Sequence, residues 1–77
     1  MQVTVILHSV LREKLPPELK GKTILELSEN ATVMDVIRQL DLPKGVSLSL
    51  NDEMLQGATH PLANGDTLRF FRQAGGG

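Results

Sequence analysis

The residues of this 77-residue chain that could do chemistry are few, and the clearest set stands at its end. Gly75-Gly76-Gly77 close the sequence just after a strand-like run, Thr67-Leu68-Arg69-Phe70-Phe71-Arg72. Glycine has no side chain, so such a tail is thin and its backbone can come close to another surface. A core has no use for three final glycines. A tail whose terminal carboxylate must thread a narrow active site does. The competing reading is an inert frayed end, since chain termini are commonly poorly ordered.

The remaining candidates are weaker. His8 and His60 lie in separate segments, with no third ligand in view and no HExxH-type spacing. His8 reads as ordinary surface. Ser9, Ser28, Ser47 and Ser49 have no recognisable nucleophile context. Asp52-Glu53 reads as a solvated pair of acids in a turn, and Asn64-Gly65-Asp66 as turn chemistry with Gly65 at positive φ. No catalytic residue and no metal site is assigned.

Composition narrows the function further. The chain has no cysteine, which removes disulfides, cysteine zinc sites, redox motifs and cysteine nucleophiles. Its net charge is −1, without a basic block or stripe, and Phe70 and Phe71 are its only aromatic residues apart from the histidines. Nucleic acid is therefore not an expected partner. No apolar run approaches the roughly 20 residues needed to span a membrane, and Met1 leads straight into a strand pattern without signal-peptide regions. The expectation is a soluble cytoplasmic protein with one small, mainly aliphatic core.

The elements that must position the tail follow from periodicity. Residues 2–8 read as a first strand, with Val3, Val5 and Leu7 inward and Thr4, Ile6 and His8 outward. Residues 9–22 form a connection in which Leu11 to Leu15 could make one helical turn before Pro16-Pro17 stops it, with Leu19 tacking the loop to the core. Residues 23–28 read as a second strand, antiparallel to the first, with Leu25 and Leu27 inward. Thr32 and Asp35 form a capping-box-like start, and Val33, Val36, Ile37 and Leu40 mark an amphipathic helix that closes at or before Leu42, ahead of Pro43. Residues 46–50 alternate as a third strand with Ser47 and Ser49 outward, Met54-Leu55 adds a short strand, and Asn64-Gly65 turns the chain into the last one. There Leu68 and Phe70 share one face, Arg69 and Phe71 the other. One helix against an alternating sheet makes a two-layer α+β domain.

This element order resembles the β-grasp, or ubiquitin-like, fold: a mixed four- to five-stranded sheet packed on one amphipathic helix. Within it the chain is similar to the sulfur carriers, namely the small subunit of molybdopterin synthase and the sulfur carrier of thiamine synthesis. Four local matches carry the resemblance. Val3-Thr4-Val5 leading to Val10-Leu11-Arg12-Glu13 is similar to the opening of the molybdopterin subunit. Ala31-Thr32-Val33-Met34-Asp35-Val36-Ile37 resembles the helix start of both groups. Leu48-Ser49-Leu50-Asn51-Asp52-Glu53 resembles a valine-Asn-Gly-Glu turn, with Asp52 where the family commonly has glycine. Pro61 to Leu68 resembles the Leu-x-x-Gly-Asp-x-Val signature before the last strand. The sequence departs from the family in ending on three glycines rather than two, and in reading Phe71-Arg72-Gln73-Ala74 where the molybdopterin subunit commonly has Pro-Pro-Val. The long first connection favours the molybdopterin group, whereas the short link from Leu40 to Val46 is closer to the thiamine carrier.

The resemblance implies that the C-terminal Gly77 is the reacting residue. An ubiquitin-activating-type enzyme would use ATP and magnesium to make its acyl-adenylate, and sulfur from a persulfide or sulfide would displace the adenylate to leave a thiocarboxylate. The carrier itself would bind no cofactor and would be a co-substrate rather than an enzyme. Gly75 and Gly76 would let the tail enter the active sites of the adenylating enzyme and of a sulfur acceptor such as the molybdopterin synthase large subunit. Since the first and last strands of this fold lie side by side, Ile6, Arg69 and Phe71 would form a docking patch near the tail, with Arg72 positioning it on an acidic partner. Residues 1–72 would be the β-grasp domain and 73–77 a flexible glycine-rich tail. The alternatives are a protein modifier, which would end as an isopeptide on a lysine, and a plain interaction domain with inert glycines.

Overall fold

The computed structural model describes residues 1–72. Five strands form one sheet: β1 (Gln2–Leu7), β2 (Lys22–Glu26), β3 (Val46–Leu50), β4 (Glu53–Leu55) and β5 (Thr67–Arg72), with one α-helix, α1 (Val33–Gln39). The spatial order is β2-β1-β5-β3-β4. The sheet is mixed, because β1 and β5 run parallel while the other neighbours are antiparallel. The last strand thus fills the centre of the sheet, held on one side by β1 and on the other by β3. This is the β-grasp architecture expected from the element order.

Strand alternation sorts the side chains. Val3, Val5 and Leu7 of β1, Leu48 and Leu50 of β3, and Leu68 and Phe70 of β5 are buried in a core that also takes Val33 and Val36 from α1. Each such fully buried side chain contributes about 1.5–3 kcal/mol relative to exposure. The helix starts as its capping box predicts. Asp35 Oδ2 accepts the backbone N–H of Thr32 at 2.8 Å, the Thr32 side chain takes the reciprocal bond from the backbone of Asp35, and the helix closes at Leu40.

Several expectations are corrected. The first strand ends at Leu7 rather than His8, because Ser9 adopts φ 54° and turns the chain. The second strand covers Lys22–Glu26, and Leu25 and Leu27 are only partly buried at the margin of the core. The first connection contains two 3-10 helices, Ser9–Lys14 and Pro17–Leu19, instead of one helical turn at 11–15. Leu11 enters the core and Leu15 packs on its edge, but Leu19 is 40% exposed and does not tack the loop down. A 3-10 helix turns three residues per cycle, so leucines spaced by four drift off a common line.

Gly21, which returns the chain to β2, is required twice over. Its φ is +80°, and a Cβ there would lie 2.6 Å from the Leu7 carbonyl oxygen. Its own carbonyl accepts the Leu7 N–H at 2.6 Å. Gly65 has φ +89°, as its turn demands.

Candidate functional site

The three terminal glycines and the proposed tail span lie outside the described residues. What the structure gives is the point from which the tail departs. Arg72, the last residue of β5, stands opposite Val46 at the start of β3. One residue earlier, Phe71 stands opposite Ser47, and Arg69 stands between Ile6 of β1 and Ser49 of β3. Ile6, Arg69 and Phe71 therefore share the sheet face turned away from the helix, as the alternation requires. All three are half-buried, whereas Arg72 is exposed.

Two apolar residues extend this face. Ile24 stands opposite Thr4, and Met54 stands opposite Ser49. They are 60% and 61% exposed, among the most exposed large hydrophobic side chains of the described residues. Ile24, Ile6, Phe71 and Met54 thus form a broken apolar stripe across the outer face, interleaved with Thr4, Ser47 and Arg69. The sequence reading missed the ends of this stripe. The signal for Ile24 was present, since placing Leu25 inward turns Ile24 outward. Met54 needed the pairing of β4.

His8 is not ordinary surface. Its ring stacks on Phe71, with centroids 4.9 Å apart and planes 7° from parallel, and its backbone N–H donates to the Phe70 carbonyl at 3.1 Å. Its Nε2 is buried without a hydrogen-bond partner among the described residues. Ser49 is likewise only 5% exposed, although it faces outward. Arg69 Nε lies 3.7 Å from Asp52 Oδ1 in an ion pair open to solvent, a geometry worth little by itself.

The residues read as turn formers do structural work at the opposite end of β5. Asn51 and Asp52 have φ 49° and 72° and form the two-residue turn between β3 and β4, as a type I′ hairpin requires. The Asn51 amide donates to Asp66 Oδ1 at 2.9 Å and accepts the Thr67 N–H at 2.9 Å. Asp66 Oδ2 accepts the Ala63 N–H at 2.8 Å, and Asn64 Oδ1 accepts the Gln2 N–H at 2.7 Å. These bonds lock the entry to β5. Among the described residues no group of three or more His, Asp or Glu side chains could hold a metal ion, and no helix is long and apolar enough to cross a membrane.

A single helix grasped by a five-stranded mixed sheet, with a central last strand leading to a glycine tail, defines a ubiquitin-like small protein. The chain belongs to the ThiS family of sulfur carriers, whose sequence pattern matches residues 9–77. No curated protein matches the chain. Among solved structures it is similar to SAMP1 from Haloferax volcanii, with 18% identity, TM-score 0.75 and complete coverage of both chains. A second structure, of H. volcanii small archaeal modifier protein 1, gives 18% identity and TM-score 0.74 over 92% of this chain and 95% of that one. A chain in the complex of subunits 1 and 2 of molybdopterin-converting factor from Helicobacter pylori 26695 gives 18% identity and TM-score 0.67, with complete coverage of both chains. At that identity these likenesses speak for the fold.

Proposed function

We propose that this sulfur carrier acts through its C-terminus, as a co-substrate that is activated and then sulfurated at Gly77. The Gly77 carboxylate attacks the α-phosphate of ATP in an adenylating enzyme, with magnesium, and pyrophosphate leaves. Sulfide then attacks the carbonyl carbon, AMP leaves with the bonding electron pair, and a thiocarboxylate remains. With a persulfide donor the first product is an acyl disulfide, and a second thiol of the partner releases the thiocarboxylate while itself becoming part of a disulfide. The thiocarboxylate sulfur is the nucleophile delivered to the acceptor enzyme. The reacting groups of these steps beyond the tail itself belong to the partners.

The observation that carries this reading is the geometry around the tail's departure. Phe71 and Ile6 sit on the outer face, and five residues, 73–77, follow Arg72 up to the reacting carboxylate. Five extended residues reach about 17 Å, enough to enter a buried active site while the partner grips Ile6, Arg69 and Phe71. The exposure of Arg72 at the root of the tail supports a role for it in meeting an acidic rim of the partner. The acceptor we favour is a molybdopterin-synthase-type large subunit. The long first connection, which resembles that of the molybdopterin group, and the likeness to the H. pylori complex support that choice over the thiamine pathway.

Intact mass measured after incubation with the source organism's adenylating enzyme, ATP, magnesium and a sulfur donor tests the reading. A gain of one oxygen-to-sulfur exchange on Gly77 is expected. An unchanged mass in the presence of a demonstrably active enzyme would refute it. The full-length likeness to the archaeal modifiers favours one second reading, attachment to lysines of other proteins. Larger adducts that survive reducing denaturation would identify it.

A further inference from the structure

The sheet has two open edges, β2 and β4, and they differ in what they can pair with. Around β2 the Leu7 N–H donates to the Gly21 carbonyl at 2.6 Å, and the Leu27 N–H donates to the Met1 carbonyl at 2.8 Å. In an antiparallel ladder hydrogen-bonded pairs recur at every second residue. Thr23 and Leu25 therefore turn their backbone groups toward β1. The N–H and C=O groups of Lys22, Ile24 and Glu26 point away from the sheet. Side chains of the same three residues lie together on the outer face, opposite Ile6, Thr4 and Gln2.

We infer that β2 is a self-pairing edge, through which two copies of this chain join antiparallel about a two-fold axis at Ile24. Such an axis sets Ile24 opposite Ile24 of the second copy. It sets Lys22 opposite Glu26 of the second copy, and Glu26 opposite the second copy's Lys22. The residues at these positions are the ones whose backbone groups are free, so the hydrogen-bonding phase and the charge pattern agree. Ile24 is 60% exposed in the single chain, and the pairing covers it. Glu26 is already approached by the Gln2 side-chain amide at 3.0 Å and by the Met1 amino group at 3.8 Å. Its side chain is still 72% exposed and can meet a further cation. A two-fold interface must be complementary to itself, and Lys22-Thr23-Ile24-Leu25-Glu26 is. The other edge is not. A two-fold axis at Met54 would set Glu53 against Leu55 and bring the acids at 52 and 53 into the junction.

One five-residue edge buries little area, so the dimer is a weak one that forms toward millimolar protein. A concentration series by sedimentation equilibrium reads it. Lys22→Glu alone, or Glu26→Lys alone, turns both attractive pairs repulsive and weakens self-association about tenfold or more. The doubly exchanged variant restores it, and so does an equimolar mixture of the two single variants, because each then meets its opposite charge. Circular dichroism on each variant confirms the fold, which these exposed positions leave intact. A wild-type chain that stays monomeric at millimolar concentration overturns the inference. A dimer that ignores Lys22→Glu, or that the double exchange fails to restore, overturns it equally.

Discussion

Phe70 points into the core, fully buried, opposite Leu7 of one neighbouring strand and Leu48 of the other. Phe71, one residue later, lies on the outer face, half-buried and stacked by His8. The two faces of β5 thus use the same side chain for different ends. The inner face buries Leu68 and Phe70 in an apolar core, as a fold of only 77 residues requires. The outer face keeps Ile6, Ile24, Met54 and Phe71 among polar residues although the helix never covers them. Burial in the core explains Phe70, whereas the docking proposed above would explain Phe71.

The largest expected effect follows from the inner face. Phe70→Ala removes a fully buried ring from the middle of the sheet and should cost about 3–5 kcal/mol. That is a large share of what a domain of this size has, since stabilities run to about 5–15 kcal/mol. Chemical denaturation checks it, and a loss below about 1 kcal/mol would break the comparison between the faces.

Next comes a limit on the comparison, because the outer surface is not spare everywhere. Asn51→Ala deletes the amide that bonds Asp66 and the Thr67 N–H and leaves alanine at φ 49°. With about 1 kcal/mol for each lost bond, a loss near 2 kcal/mol is expected. The turn staple would then be fold-bearing, and adenylation of the folded fraction would be unchanged.

Phe71→Ala should do the reverse. Stability falls by about 1 kcal/mol or less, since the ring is only half-buried. KM for the carrier in the adenylation reaction rises about tenfold, equivalent to about 1.4 kcal/mol of docking, while kcat holds. Steady-state kinetics with carrier as the varied substrate separates the two. An unchanged KM would remove the outer face from the docking site.

Much of this was legible in the sequence wherever short-range physics decides. Thr32 with Asp35 announced the helix start, period-two alternation sorted Val3, Val5 and Leu7 from Thr4 and Ile6, and Asn64-Gly65 announced the last turn. The remainder depends on long-range placement. Parallel pairing of β1 with β5 brings His8 onto Phe71, and no local pattern encodes that contact. Ala31 and Leu62 enter the core from outside the regular elements, where periodicity has no purchase. They are held by the Leu62 N–H donating to the Ala31 carbonyl at 3.0 Å and by the bridge between Thr32 and Pro61. The 3-10 geometry after β1 also escaped, because a leucine spacing of four suits an α-helical turn.

The smallest expected effect probes how the outer face is tuned. Asp52 occupies φ 72°, a conformation glycine adopts without the Cβ penalty, and type I′ hairpin turns favour Asn-Gly in these two positions. Asp52→Gly relieves that strain but frees more of the unfolded chain, so the net gain should be only about 0.5 kcal/mol. The exposed pair with Arg69 adds almost nothing to stability, so its loss does not reverse the sign. Its removal matters for docking instead, because Arg69 is left without its acid beside Ile6. If the partner's surface is acidic, as the exposed Arg72 suggests, the freed guanidinium should lower KM in adenylation, and added salt should erase the gain. A raised KM would mean that the Asp52–Arg69 pair is itself part of what the partner reads.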